Sequence, residues 1–111
     1  MTNAKNAQRG EIWLIRLDPA IGREIRKSRP CLIVSPDGIN RHLGTVIVMP
    51  MTTGSHPARF RPDIAFHERR GLLLGDQIRS VSKECLSKRL GLAEPETRKR
   101  ALRILREMFE E

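Results

Sequence analysis

The sequence predicts one small, mainly β domain in which short antiparallel strands form a barrel and a single amphipathic helix lies at the C-terminal end. Three observations carry this prediction. Short apolar runs alternate with Gly and Pro turns over residues 11–92, the periodicity becomes helical after Pro95, and 111 residues suit one core. Residues 1–9 are polar and are predicted to be a flexible N-terminal segment, with the single domain spanning residues 10–111.

Seven short β-type segments are bounded by turn residues or charged residues and account for most of the predicted barrel. They are residues 11–17, 31–35, 45–51, 59–67, 72–74, 76–81 and 88–92. Gly75 is predicted to form a bulge between two of them, and Ser82 to cap a single helical turn.

Two connections between the early strands differ in character. Residues 18–29 hold many charges around one glycine, which predicts a long loop of the kind that often carries function. Residues 37–44 contain Asp37-Gly38 and Asn40, which predict a turn.

The C-terminal helix is predicted over residues 95–109. Apolar Ala101, Ile104, Leu105 and Met108 recur at i, i+3, i+4 and i+7, and Pro95 suits a first helical turn. Five basic side chains occupy the polar side, a pattern that favours a solvated helix face over a nucleic-acid surface. They are Arg98, Lys99, Arg100, Arg103 and Arg106.

The charge of the chain points to an anionic partner. Lys and Arg number 21 against 13 Asp and Glu, a net charge of +8, so nucleic acid, an acidic protein segment or a membrane surface are the candidates. An aromatic content of 4% argues against modules that hold single strands mainly by base stacking. No apolar run reaches the roughly 20 residues of a membrane span, and the start lacks a signal-peptide core. We therefore expect a cytoplasmic protein without membrane contact.

The remaining chemistry-bearing residues do not form a known catalytic spacing. Cys31 and Cys85 are expected to be reduced thiols in the packed interior, a reading favoured over a redox or catalytic role. Three histidines lie in turn or edge segments, where a two-histidine acid–base pair for RNA cleavage is the less favoured alternative. The carboxylates are too scattered to predict a metal site, and no cofactor is expected.

One arginine is predicted to be held in place for an anion. Arg29 precedes Pro30, which biases it to extended geometry, and an apolar strand follows at once. A guanidinium held at the start of a strand can grip a phosphate through two parallel N–H bonds. The plainer alternative is a surface arginine paired with Glu24 or Asp18.

Two adjacent hydroxyls offer a second group for the same anion. Thr52 and Thr53 follow the strand TVIVMPM, and hydroxyls at a strand end can donate to a phosphate oxygen. Threonines are equally common as plain turn residues, so this alternative stays open.

Three blocks of sequence together resemble one family. They are RGEIWLIRLDPAIGREIRKSRPCLIVSP (9–36), TVIVMPMTT (45–53) and GLLLGDQIRSVSKECLSKRLG (71–91), which occur in this order in the MazF/PemK endoribonuclease toxins. The resemblance implies an SH3-like (CcdB/PemK-type) barrel with a C-terminal helix and a homodimer. It also implies sequence-selective, metal-independent cleavage of single-stranded RNA, leaving 2′,3′-cyclic phosphate and 5′-hydroxyl ends, and an acidic antitoxin partner.

The same resemblance assigns residues to the site. It places catalytic groups at Glu24, Arg29 and Thr52. Some family members instead use a His in the first loop and an Arg two residues before the Asp of "DQ", and here those positions hold Arg23 and Leu74. Asp76 is therefore expected to be a substrate contact or a structural anchor. The expected RNA-binding set is Arg23, Arg26, Lys27, Thr53, Asp76 and Gln77, with no metal ligand.

A mechanism follows as a hypothesis. The ribose 2′-OH attacks its own 3′-phosphate, Glu24 takes the proton, and Arg29 and Thr52 stabilise the charge that builds on the phosphorane.

Two rival functions remain open. A gyrase poison of the CcdB type uses a Trp-Gly-Ile chain end, whereas here residues 108–111 are MFEE and the one tryptophan is Trp13. A plain RNA-binding module is the other rival.

Overall fold

The computed structural model describes residues 6–17, 28–53 and 56–111 and shows a strongly curled antiparallel sheet with a helix against it. Two short 3₁₀ turns, at Gly75–Gln77 and Lys83–Cys85, flank the sixth strand. The strands are β1 (Glu11–Arg16), β2 (Ser28–Ile33), β3 (Thr45–Thr52), β4 (Asp63–Phe66), β5 (Arg69–Leu73), β6 (Arg79–Ser82) and β7 (Leu86–Leu92), and the helices are α1 (Asp37–His42) and α2 (Pro95–Met108).

The long strand β3 organises the sheet. The strand order is β4-β5-β3-β2-β1-β7, and β6 pairs with the first half of β3 while β5 pairs with its end. Because successive side chains alternate between faces, β2 and β3 each supply apolar residues to both sides of the sheet. The predicted small antiparallel barrel with a C-terminal helix is confirmed.

Two apolar clusters result from this alternation. The first lies on one face of the sheet and contains Trp13, Ile15, Ile33 and Val48, all buried. The second lies on the other face, where the helix α2 covers the sheet with its apolar stripe. Its buried members include Leu32, Met49, Leu73, Ala101 and Ile104. The stripe predicted for the helix is therefore the one that packs, while Lys99 and Arg103 are exposed.

The predicted turn after β2 is wrong, because residues 37–42 form the short helix α1. Local side-chain bonds explain the difference. The buried Asn40 amide donates to the Ser35 carbonyl at 2.9 Å, and the Asn40 backbone N–H donates to the Pro36 carbonyl at the same distance. The Asn40 side chain thus bonds to the residue that precedes the helix N-terminus, and it stabilises a helix of about one and a half turns.

Several predicted strand boundaries also differ, and the strand predicted over residues 76–81 begins only at Arg79. The segment predicted over residues 59–67 is a strand only at Asp63–Phe66, because residues 58–61 form a tight turn closed by Ala58 and Arg61. The bulge predicted at Gly75 is a 3₁₀ turn, in which Gly75 N–H donates to the Phe60 carbonyl at 2.9 Å. A Cβ at this position would lie 2.5 Å from that oxygen, so only glycine allows the approach.

Other local predictions agree with the structure. Ser82 caps the turn at Lys83–Cys85, since its hydroxyl accepts a bond from the Glu84 N–H at 3.2 Å. Cys31 is buried and Cys85 is partly buried, and both are free thiols. Burial raises the pKa of the Cys31 thiol to about 12, although the charges of Arg79 and Arg29 act in the opposite direction.

Residues 6–9, at the end of the segment expected to be flexible, lie against the domain. Ala7 is buried in the first apolar cluster, and the Arg9 guanidinium donates to the Val34 carbonyl at 2.9 Å. The Arg9 N–H also donates to Asp37 at 2.7 Å. In the described parts of the chain, neither helix has the length and apolar character needed to cross a bilayer.

Candidate functional site

A cavity of about 450 Å³ opens where the start of β2, the end of β3 and the β4–β5 hairpin meet. Its volume falls within the range of small-ligand sites. The walls combine three arginines and two threonines with an apolar floor. The lining residues are Ser28, Arg29, Pro30, Met51, Thr52, Thr53, Phe66, Arg69, Arg70 and Gly71.

Strand register explains why Arg29 and Thr52 share this cavity. The β2–β3 ladder pairs Leu32 with Met49 and Cys31 with Pro50. The ladder ends there, and the same register extended by two residues would set Arg29 opposite Thr52. Paired residues of neighbouring strands point to one face of a sheet, so both side chains belong to the same side. The two residues singled out in the sequence, 23 positions apart, therefore line one cavity.

Backbone pairing with β1 also fixes the position of Arg29. Arg29 pairs with Ile15 of β1, and Pro30 pairs with Leu14. The β2–β3 ladder begins only at Cys31, so the pyrrolidine of Pro30 interrupts no pairing with β3. Because residues 28–30 pair with β1 alone, the strand can begin at Ser28, three residues before the predicted start, despite Pro30.

The charge around the cavity has one sign. Arg29, Arg69 and Arg70 are its only ionisable lining residues within the described parts of the chain, and none of the three pairs with a described carboxylate. Three cations around one opening, none of them paired with a described carboxylate, favour an anionic ligand. Among the described residues, the Thr52 hydroxyl donates only to the Thr53 carbonyl, at a long 3.4 Å, so it can turn to an incoming acceptor at little cost.

The β4–β5 hairpin supplies two of these cations. Its two turn residues, His67 and Glu68, have φ angles of 52° and 63°, as a type I′ turn requires. On β5, a Cβ at Gly71 would lie 2.2 Å from the Thr52 carbonyl oxygen, so glycine lets the hairpin press directly on β3. The hairpin wall is thereby held beside Thr52.

The tip of the hairpin also contacts the far edge of the sheet. His67 Nε2 lies 3.1 Å from the Leu90 carbonyl of β7 and donates to it. The Phe66 ring comes within 3.0 Å of the position that a Cβ on Gly91 would occupy. The hairpin thus lies between β3 and β7, with Gly71 packed against β3 and the residues at its tip in contact with β7.

Sequence reasoning missed Arg69 and Arg70 as site residues. Their signal was two adjacent arginines directly before Gly71, in the run HERRG. Their place beside Thr52 depends on pairing between β3 and β5, which joins residues about 20 positions apart and leaves no local pattern.

The other residues expected in the site divide into three groups: one that lines the cavity, two that stand apart from it, and four that lie outside the described chain. Glu24, Arg23, Arg26 and Lys27 lie outside the described residues. Thr53 lines the cavity.

Asp76 and Gln77 lie on the 3₁₀ turn before β6 and do not line the cavity. Both Asp76 carboxylate oxygens accept bonds from the Arg61 guanidinium, at 2.8 and 2.7 Å, and these bonds lower the pKa of Asp76. Nowhere in residues 6–17, 28–53 and 56–111 do three His, Cys, Asp or Glu side chains cluster as metal ligands would.

The fold and the site together define a small basic half-barrel protein with an arginine-walled anion cavity. The family model described as "PemK-like, MazF-like toxin of type II toxin-antitoxin system" matches residues 8–109. The endoribonuclease toxin ChpB of Escherichia coli K12 is 33% identical over 117 aligned residues, which cover 99% of this chain and 100% of ChpB. Endoribonuclease PemK of Escherichia coli is 48% identical over 52 residues, covering 47% of this chain and 39% of PemK.

A solved structure shares the fold. The endoribonuclease from a mycobacterial species, in complex with its cognate antitoxin, superimposes with a TM-score of 0.76 over 91% of this chain and 92% of its own, at 24% identity. This chain belongs to the PemK/MazF family of type II toxin–antitoxin toxins.

Proposed function

We propose that this protein is a toxin that cleaves single-stranded RNA at selected sequences without a metal ion and so inhibits translation and growth. The observation that carries the proposal is the meeting of Arg29 and Thr52 in a cavity whose described charges are all positive. Membership of a family whose named relatives are endoribonucleases supports the same reaction class.

The proposed reaction is an internal transfer at phosphorus. The ribose 2′-oxygen forms a bond to the adjacent 3′-phosphorus, its proton leaves to a base, and the bond from phosphorus to the 5′-oxygen of the next nucleotide breaks. The leaving 5′-oxygen gains a proton. The products are a 2′,3′-cyclic phosphate and a 5′-hydroxyl, so atoms and charge balance without a redox or metal-bound step.

Each residue has a defined role in this scheme. Arg29 neutralises the charge on the phosphorane and can protonate the 5′-oxygen, while the Thr52 hydroxyl donates to a non-bridging oxygen. Glu24 is the proposed base. A carboxylate among Arg23, Arg26 and Arg29 stays ionised, although the same cations lower its basicity.

The remaining contacts are proposed to hold the strand. Arg23, Arg26 and Lys27 bind backbone phosphates, and Thr53 and Gln77 offer polar groups to base edges. Asp76 is bound by Arg61 at both oxygens, which favours the anchor role among the two expected for it.

The proposed partners follow from charge and from the family. The proposed partner is a cognate antitoxin whose acidic segment would cover the basic cavity. The mycobacterial endoribonuclease, which shares the fold, is likewise in complex with a cognate antitoxin. A homodimer is the proposed assembly.

The test is incubation of the pure protein with a long single-stranded RNA in EDTA, followed by mapping of the fragment ends. We expect discrete cuts with 2′,3′-cyclic phosphate and 5′-hydroxyl ends. Bound but intact RNA would replace the nuclease with a binding module. Neither cleavage nor binding, together with inhibition of DNA gyrase, would favour the gyrase poison.

A further inference from the structure

The described lining of the cavity holds more positive charge than one scissile phosphate can neutralise. Arg29, Arg69 and Arg70 carry three guanidinium charges, whereas a phosphodiester carries one negative charge. In the described parts of the chain no carboxylate, Glu68 of the same hairpin included, lies within ion-pair distance of Arg70. An arginine this exposed and unpaired is free to bind a second anion.

Register shows which hairpin arginine shares the face of Thr52. Leu72 pairs with Thr52 across the β3–β5 ladder, so the two residues point to the same side. Arg70 lies two residues before Leu72 and therefore projects to that side as well, whereas Arg69 alternates to the other. Arg70, Thr52 and Arg29 thus form a row on one face of the curled sheet.

The order of the strands sets their spacing. Because β3 lies between β2 and β5, Thr52 stands between Arg29 and Arg70. Two strand spacings across the sheet and an offset of two residues along β5 separate the backbones of the arginines, about 12 Å in all. That separation suits successive phosphates of an extended strand better than one phosphate group.

We propose that Arg70 builds a second phosphate-binding subsite, which holds the phosphate next to the scissile one while Arg29 and Thr52 hold the scissile one. The proposal rests on the proposed function. Gly71 supports it directly, since the close contact of the hairpin with the Thr52 carbonyl fixes the distance between the two subsites. Arg70 acts here as a substrate-binding residue that sets strand position.

The test uses an RNA oligonucleotide that contains the mapped cut site. First, wild-type protein cleaves the unmodified oligonucleotide; if it does not, the proposed function fails before Arg70 is changed, and this inference falls with it. For binding, the sugars around the cut site are 2′-deoxy, so that no cleavage occurs. Single methylphosphonates then remove the charge of the linkage on the 5′ side or on the 3′ side.

We expect Arg70→Ala to weaken binding about 10-fold, the effect of one charge-assisted contact, and to flatten the salt dependence by about 0.7. One of the two methylphosphonates should weaken wild-type binding by a similar factor and leave Arg70→Ala unaffected. In cleavage, the substrate concentration at half-saturation should change more than the rate at saturation.

The control is Arg103→Ala, which removes the same charge from an exposed position on α2 outside the cavity. A melting curve for each variant confirms folding. The inference is overturned if Arg70→Ala binds like wild type. It is equally overturned if both methylphosphonates weaken Arg70→Ala as much as they weaken wild type.

Discussion

Arg29→Ala is expected to slow single-turnover RNA cleavage at least about 10²-fold, because one preorganised donor to a developing oxyanion contributes about 3–4 kcal/mol. β1 pairs with Arg29 and β3 lies beside it, so the backbone that carries the guanidinium is fixed before charge builds on phosphorus. Arg29→Lys keeps the charge but loses the planar pair of N–H donors, and should recover only part of the rate. The measurement is the cleavage rate with enzyme in excess over RNA.

Arg103→Ala is the matched control for this variant, since it removes one exposed cation from α2 and leaves the cavity intact. It should cleave at the wild-type rate at moderate salt. A rate for Arg29→Ala within about threefold of wild type would remove Arg29 from the chemical step.

Glu11→Ala is expected to produce the largest loss of stability. Glu11 is 6% exposed, and its carboxylate accepts bonds from the Trp13 indole N–H at 2.9 Å, the Gln8 backbone N–H at 2.9 Å and the Arg89 guanidinium at 2.8 Å. Alanine would leave the indole and the amide without partners, while the half-exposed Arg89 can turn to water. We expect a loss of about 2–4 kcal/mol, seen by urea denaturation.

The pKa of Glu11 also predicts how the stability of the protein changes with pH. Burial alone would raise the pKa of Glu11, but the bonds from Trp13, Arg89 and Gln8 outweigh it, so the pKa lies below the ordinary 4.5. The stabilisation is therefore full above that value and is lost as the pH falls through the native pKa. Glu11→Gln should be less stable at neutral pH and should lose less stability on acidification than wild type. Exposed Glu107→Ala is the control, and equal stability of Glu11→Ala and wild type at pH 7 would contradict the account.

Elements with their own periodicity could be predicted from the sequence. The continuous apolar runs of β1 and β3, which are buried on both faces of the sheet, and the i, i+3, i+4 stripe of α2 are both local signals. Short elements that depend on particular hydrogen bonds could not be predicted from the sequence. The helix α1 depends on Asn40 binding Ser35, and the turn at Gly75 depends on the carbonyl of Phe60, 15 residues away.

The residues of the candidate site likewise divide into those with a local sequence signal and those without one. Arg29 was detectable because a proline follows it at the start of an apolar strand, and Thr52 because it ends one. Arg69 and Arg70 were not, since only the pairing of β5 with β3 and the contact of the hairpin tip with β7 bring them to the cavity. Long-range register decides such placements, and a single sequence does not encode it in any nearby pattern.

The central claim is that Arg29 and Thr52 act on the same phosphate, and a double-mutant cycle tests it most directly. Single-turnover rates are measured for wild type, Arg29→Ala, Thr52→Val and the double variant. Residues that act as a unit are non-additive, so we expect the double variant to lose less than the product of the single losses, with a coupling of at least about 1 kcal/mol. Losses that multiply to within about 0.3 kcal/mol would contradict a shared phosphate.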